Sequence, residues 1–254
     1  MRIIRFKNKN DDVQFGWISQ EKVGLIQGDP FGEFRRFEPT LLLSDLELLL
    51  PCQPSKIIAV GRNYAEHAAE MNNEVPAYPM IFIKPPSALI TNGEPIIIPS
   101  QSNRVEHEAE LTIVMGKKSR NLTQDNVRES IFGFTIANDV TARDLQRIDG
   151  QWTRAKSFDT FCPLGPWIDT EFDPSDAMIS CHVNHALRQM ASTKDMNFNP
   201  EQLVIYISSI MTLFPGDLIL TGTPAGVGPL VNGDLVTVHI EGLGTLVNPV
   251  RKAA

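Results

Sequence analysis

An α+β fold dominated by β-structure is what this sequence predicts. Apolar runs of strand length far outnumber helical patterns, strands and helices do not alternate, and a single stretch carries a sustained helical period. A TIM barrel or a doubly wound sheet needs that alternation and is excluded. Reading from the start, Arg2–Phe6, Val13–Ser19 and Val23–Gln27 look like strands, and Gly28-Asp29-Pro30 like a turn. Ser44-x-x-Glu47 has the form of a capping box opening a short leucine-rich helix. Pro51-Cys52-Gln53-Pro54 would end it, because proline cannot continue a helix. A boundary is therefore expected near residue 52, with a small β-rich domain over 1–52 and the main domain over 53–254.

Beyond that boundary the strand-like runs are Lys56–Val60, Met80–Ile83, Glu108–Met115, Phe132–Val140, Ile179–Asn184, Leu218–Gly222 and Leu235–Ile240. The clearest helix runs from Pro200 to about Leu213. Asn199 is its N-cap, and Leu203, Val204, Ile207, Ile210, Met211 and Phe214 follow helical spacing. A shorter helix is expected to start at Asn63, with Glu66 three residues on.

The 254 residues carry 23 Lys plus Arg against 30 Asp plus Glu, a net charge of −7. A phosphate-backbone binder needs a basic excess, so no nucleic-acid partner is expected. No apolar run approaches a membrane span, and Met1–Lys7 lacks the apolar core of a signal peptide. Cys52, Cys162 and Cys181 are odd in number and far apart, which suits buried reduced thiols in a cytoplasmic protein.

The most informative stretch is Glu106–Met115. As a strand it turns Ala109, Leu111, Ile113 and Met115 one way, and Glu108, Glu110 and Thr112 the other. Two carboxylates on one strand face repel, and near an apolar core they need a cation or a proton. On spacing alone an ordinary solvated sheet face remains open. Asp139, at the end of an apolar strand, adds a third carboxylate. Three oxygen donors at one point suit Mg²⁺ or Mn²⁺, or Ca²⁺ in a larger cage. Zinc has no Cys/His cluster to use; His182-x-x-His185 is isolated and reads as structural.

Five segments then resemble the fumarylacetoacetate hydrolase family, in order over about residues 55 to 250. They are Gly61-Arg62-Asn63-Tyr64-Ala65-Glu66-His67, Glu108-Ala109-Glu110-Leu111, Ala137–Gln146, Lys156–Pro166 and Thr221–Gly228. The N-terminal segment resembles that of bacterial members once named hydroxyhepta-dienedioate isomerases. The resemblance implies a mixed β-sandwich roll, a homodimer, a divalent metal and a small 2-oxo or 2,4-dioxo carboxylic acid as substrate. By motif it makes Glu108, Glu110 and Asp139 the metal ligands. A fourth carboxylate of the larger members is missing, since Ile57, Ile58, Ala59 and Val60 occupy that region, so a more open site is expected.

His67 and Glu70 are three apart on the Asn63 helix and share a face. Without the resemblance they read as an exposed ion pair; with it they become a water-activating dyad on a lid helix, followed by a hinge or loop over Met71–Pro79. The resemblance likewise gives Lys156 a developing enolate to stabilise, and gives Arg143, Gln146 and Thr223 the substrate's polar groups to hold. Thr221–Gly228 is not a phosphate loop, because it lacks the Gly-Lys-Ser/Thr ending. Lys84-Pro85-Pro86 follows a strand and is expected at most to border the pocket, with no part in the chemistry; Asp144 and Asp159 read as supporting or structural residues, and Glu106 is expected to point away or into solvent. The activity implied is metal-dependent C–C cleavage of an acylpyruvate through pyruvate enolate. Oxaloacetate decarboxylation, isomerisation of a hydroxymuconate-type diacid and dehydration of a 2-oxo sugar acid share that enolate. An inactive metal-binding dimeric module is the non-enzyme alternative, which the intact His67, Glu70 and Lys156 oppose.

Overall fold

The computed structural model describes residues 1–8 and 11–253. Strands dominate, in sheets of thirteen, five and three strands. Along the main path of the largest sheet, Cys162–Asp169 is followed by Ile131–Asn138, Ala109–Met115, Leu218–Leu220, Ile57–Gly61 and Met80–Lys84. The pairings are antiparallel except that of Leu218–Leu220 with Ile57–Gly61, which makes the sheet mixed. One 3₁₀ turn after Met80–Lys84, Leu89–Ile90 pairs in parallel with Cys162–Pro163. The chain thereby comes back to the strand at which this path began, and the sheet rolls up.

Both faces of the roll are apolar. Inside lie Ile57, Ala59, Val114, Ala137, Leu164, Leu218 and Leu220. Outside, Ile58, Val60, Leu111, Ile113 and Ile136 pack with Ile179, Val236, Val238 and Ile240 of the five-stranded sheet and with Leu203, Val204 and Ile207 of the Pro200–Ile210 helix. Strand alternation thus divides Leu111 and Ile113 from Glu110 and Thr112, as expected from period two. The long helix keeps its expected cap: Asn199 and Gln202 form a reciprocal capping box. It ends at Ile210, not Leu213, because Met211 is already extended. Among the described residues no helix is long and apolar enough to cross a membrane, and the three cysteines are buried and unpaired.

Two expected helix starts are corrected. Ser44–Glu47 opens no helix; a single 3₁₀ turn at Leu43–Asp45 leads into a strand, Glu47–Leu49, paired with Arg5–Lys7. The leucines alternate, so Leu46 and Leu48 pack on Ile4, Phe6 and Val23, and period two wins over the capping signal. Asn63 caps nothing either. The helix spans Ala65–Glu70, and the Asn63 amide instead donates to the Phe198 and Thr221 carbonyls and accepts from Phe198 N–H. His182 lies beside a two-residue hairpin turn, Asn184-His185, both with left-handed φ. The first strand pairs Arg2 and Ile3 with Asp169 and Ile168, so the N-terminal hairpins extend the large sheet.

The edge of the roll is clamped by Asp217, which is fully buried. It accepts from Ser55 N–H, Ser55 Oγ, Lys56 N–H and Phe214 N–H at 2.7–3.2 Å and pairs with the Lys56 ammonium. Asp217→Ala is expected to cost about 3–5 kcal/mol, because it strands a partly buried lysine and three backbone donors. Urea unfolding with an unchanged m-value checks this, and a loss under about 1 kcal/mol would show that Asp217 does not clamp the edge.

Candidate active site and metal centre

Strand ends meet at the mouth of the roll. Ala109 pairs with Asn138, Leu220 runs on from a register with Thr112, and Ala59 lies beside Leu220. Glu108 and Glu110, Asp139, the Thr221–Gly228 loop and the Gly61–Asn63 turn are therefore neighbours. They wall a cavity of about 60 Å³ that Glu108, Glu110, Asp139, His67, Arg143, Gln146, Lys156 and Thr223 all line.

The three carboxylates are buried, and one oxygen of each lies within 4.8 Å of the others. Like charges so close in an apolar wall demand cations. Lys156 Nζ answers two of them, at 2.7 Å from Glu108 Oε2 and 2.7 Å from Asp139 Oδ2. Arg143 adds its guanidinium to Glu108. Burial alone would raise the Glu108 carboxyl, but Lys156 and Arg143 beside it pull it well below the usual carboxylate range. Burial likewise opposes charge on Lys156, but Asp139 and Glu108 outweigh it and raise the ammonium's pKa.

Glu110 differs. Among the described residues its one hydrogen bond is from Gly222 N–H, 2.6 Å from Oε2. Burial, then Asp139 and Glu108, drive its carboxyl well above the ordinary value. Lys156 acts on Glu110 only over a distance, so among the described residues Glu110 is the carboxylate of the three with no direct ion pair. Three buried carboxylates at one point, one of them without a direct ion pair, make an all-oxygen donor set that fits a hard divalent ion such as Mg²⁺ or Mn²⁺, held by Glu108, Glu110 and Asp139.

The helix carries the next group. His67 is 6% exposed, and its Nδ1 lies 3.1 Å from Glu70 Oε2. Glu70 is itself held, since Gly226 N–H reaches both of its carboxylate oxygens at 3.1 and 3.2 Å. Thus the dyad is tied to the Thr221–Gly228 loop. Gly226 has φ +100, and a Cβ there would sit 2.0 Å from the Arg188 carbonyl oxygen. Gly226→Ala is expected to shift the loop, cost about 1–3 kcal/mol and release Glu70. A thermal melt read beside kcat checks both effects; a normal kcat in a destabilised protein would show that Glu70 needs no such anchor.

Arg143 Nε donates to Glu106 Oε2 at 2.7 Å and Nη1 to Gln146 Oε1 at 2.7 Å. For Glu106, expected to point away or into solvent, the solvent alternative is corrected: it stays out of the carboxylate cluster and the cavity lining but is 2% exposed, braced by Arg143 and by Arg104 Nε at 2.6 Å. Burial would raise its carboxyl, and the two guanidiniums lower it. Strand parity with Glu108 and the arginine two residues earlier were the available signals. Asp144 accepts from Ser102 Oγ and Asn103 N–H, a supporting contact, whereas Asp159 is exposed.

Lys84, to which no sequence motif assigns a role, belongs to the carboxylate cluster. It is fully buried, with Nζ 2.7 Å from Asp139 Oδ1 and bonded to the Lys156 carbonyl. It pairs in register with Ile57, which faces the interior of the roll, so its side chain lies inside too. Lys84, Lys156 and Arg143 therefore balance Glu108, Glu110 and Asp139 in formal charge, while Arg104 offsets Glu106.

Comparison with known proteins places this geometry. Residues 56–251 match the family described as Fumarylacetoacetate (FAA) hydrolase C-terminal, and residues 1–51 match Rv2993c-like, N-terminal. The mitochondrial oxaloacetate tautomerase Fahd2a of Rattus norvegicus is 43% identical over 224 residues, 84% of this chain and 72% of its own length. A crystal structure of 2-hydroxyhepta-2,4-diene-1,7-dioate isomerase from Mycobacterium marinum superposes with TM-score 0.93 at 43% identity, covering 100% of this chain and 99% of that one. Maleylpyruvate hydrolase from Sphingobium sp. SYK-6, solved with manganese(II) and pyruvate, superposes with TM-score 0.82 at 30% identity over 100% of both chains.

Proposed function

The chain belongs to the fumarylacetoacetate hydrolase family, and from that membership we propose that it is a divalent-metal-dependent hydrolase of small acylpyruvates. The observation that carries the reading is His67, held by Glu70, on the wall of the cavity that Glu108, Glu110 and Asp139 share. A Mg²⁺ or Mn²⁺ ion there would supply fixed positive charge for the substrate's carboxylate and 2-oxo oxygens.

The residues of the chain divide the rest. Glu70 takes the Nδ1 proton of His67 as a hydrogen bond, which leaves Nε2 as the base. Nε2 removes a proton from water, and the hydroxide adds to the distal 4-oxo carbon. The C3–C4 bond breaks, and its electron pair forms the C2–C3 double bond of an enolate as the 2-oxo oxygen takes its carbonyl π pair. The His67 imidazolium returns its proton to C3, so a carboxylic acid and pyruvate leave. Lys156, held by two carboxylates, is a preorganised positive charge for that enolate. Arg143 has five N–H donors, of which three are engaged, so two remain for a substrate oxygen beside Gln146. Thr223 supplies one more hydroxyl to the substrate carboxylate.

A second reading, oxaloacetate tautomerisation, is favoured by the 43% identity to the rat tautomerase. It uses the same base to move a proton between C3 and the 2-oxo oxygen without water addition. Purified protein with Mn²⁺ or Mg²⁺, given acetylpyruvate, fumarylpyruvate and oxaloacetate, separates the two. Release of pyruvate and an acid from an acylpyruvate supports hydrolysis. Enol–keto conversion of oxaloacetate alone supports tautomerisation, and inertness towards all three sinks both. The proposed assembly is a homodimer, for which the edge strand Ala186–Ser192 exposes Leu187 and Met190. Sedimentation at twice the 28.3 kDa chain mass tests it.

A further inference from the structure

The hydrogen-bonding role of Thr223 is decided by a residue outside the cavity. Gln189, on the Ala186–Ser192 strand, is 1% exposed. Its Oε1 lies 3.1 Å from the Ala109 backbone N–H, which can only donate, so the amide oxygen must be on this side. His107 Nδ1, 3.0 Å from the same oxygen, is then the protonated ring nitrogen. On the other side, Nε2 lies 2.8 Å from the Pro224 carbonyl, which can only accept, and 2.7 Å from Thr223 Oγ1. Both Nε2 hydrogens and both Oε1 lone pairs are used. A flipped amide would set N–H against N–H and oxygen against oxygen. Thr223 Oγ1 therefore accepts from Gln189. Its own proton has no acceptor among the described residues, and Thr223 lines the cavity.

We infer that Gln189 is a positioning residue that makes Thr223 an obligate hydrogen-bond donor to the substrate's carboxylate. This rests on the oxo-acid reading of the cavity. A free hydroxyl presents either its proton or a lone pair and must reorient as an anion arrives. One that already accepts from a buried amide holds its proton ready, and no reorganisation is needed on binding. The amide is itself fixed by Ala109, between Glu108 and Glu110, so carboxylate grip and carboxylate cluster share one buried anchor.

The test uses oxalate, a small dianionic mimic of the enolate acid. Wild-type protein and the variants Gln189→Glu, Thr223→Val and their double are saturated with Mn²⁺ and titrated with oxalate by calorimetry; each is also titrated with Mn²⁺ alone. Gln189→Glu keeps an oxygen for Ala109 and His107 and removes the donor to Thr223. Each single variant is expected to weaken oxalate by roughly 10- to 100-fold, the worth of one hydrogen bond to a charged group, with Mn²⁺ affinity unchanged. The double variant should bind oxalate no more weakly than Thr223→Val. Wild-type oxalate affinity in Gln189→Glu overturns the inference. So do losses that multiply in the double variant, or Mn²⁺ affinity that falls together with oxalate, which would mark a mere structural prop. Should Gln189→Glu fail to fold, Gln189→Met, which also lacks the donor, carries the same expectation and the same refutation. A wild-type protein that binds Mn²⁺ but no oxalate overturns the oxo-acid reading itself, and the inference with it.

Discussion

Asp139→Ala is expected to reduce turnover of every 2-oxo acid to background and to destabilise the fold together. Asp139 is 1% exposed and holds both Lys84 and Lys156 at 2.7 Å. Removing it leaves two buried ammonium groups short of a partner, a change worth about 3–5 kcal/mol in comparable buried networks. It also removes one of the three oxygen donors proposed for the metal. Two measurements separate the effects. Thermal melts with and without Mn²⁺ report binding, because a ligand that prefers the native state raises Tm as its concentration passes Kd. Wild-type protein should gain stability from Mn²⁺ and lose it with EDTA; Asp139→Ala should be insensitive to both. An Asp139→Ala protein that still gains the full Mn²⁺ shift would mean that the ion sits elsewhere.

His67→Ala tests the base. Hydrolysis and tautomerisation both need a group that takes a proton, whereas decarboxylation needs positive charge at the 2-oxo acid and a route for CO₂. Cleavage of an acylpyruvate, or tautomerisation of oxaloacetate, is expected to fall by about 10²–10⁴-fold, the usual contribution of a positioned general base. Any oxaloacetate decarboxylation should fall much less. The variant is a clean one structurally, because Glu70 keeps its bonds from Gly226 when the imidazole is gone. Equal losses in all three reactions would point to a collapsed cavity and not to a missing base.

The carboxylate cluster was legible because its information is local. Glu108 and Glu110 are two residues apart at the start of a strand, and Asp139 directly follows the strand that pairs with it. The pairing of His67 with Glu70 is local too, as i and i+3 on a helix, but spacing alone reads as an exposed ion pair, and their role at the cavity came only from the family resemblance. What was not legible depends on closure of the chain over long distances. Lys84 reaches Asp139 only because the sheet rolls up, and no spacing in the sequence encodes that. Glu106 shares the parity of Glu108, but the strand breaks at Glu108: Glu106 and His107 pair with Pro229 and Gly228 in a separate three-stranded sheet. Strand parity does not carry across that break. Cys162–Asp169 hid itself behind Pro163, Gly165 and Pro166, residues that usually end strands. Its flanks are held by Leu89–Ile90 and by the first strand, which tolerates the missing donors.

The loop from Thr221 to Gly228 carries two tethers three residues apart, Thr223 to Gln189 and Gly226 to Glu70, with the Arg188 carbonyl filling the space any side chain at Gly226 would need. Such a stretch has almost no freedom to change length or composition without disturbing base and grip at once. The facing stretch from Met71 to Pro79 contains no regular element and lends only Met71 and Asn73 to the cavity. Variation is cheap on that side and costly on the other. In a lineage drifting from one oxo acid to another, or in a library built to force such a shift, residues 71–79 are where diversity survives selection, and the loop opposite is the invariant frame.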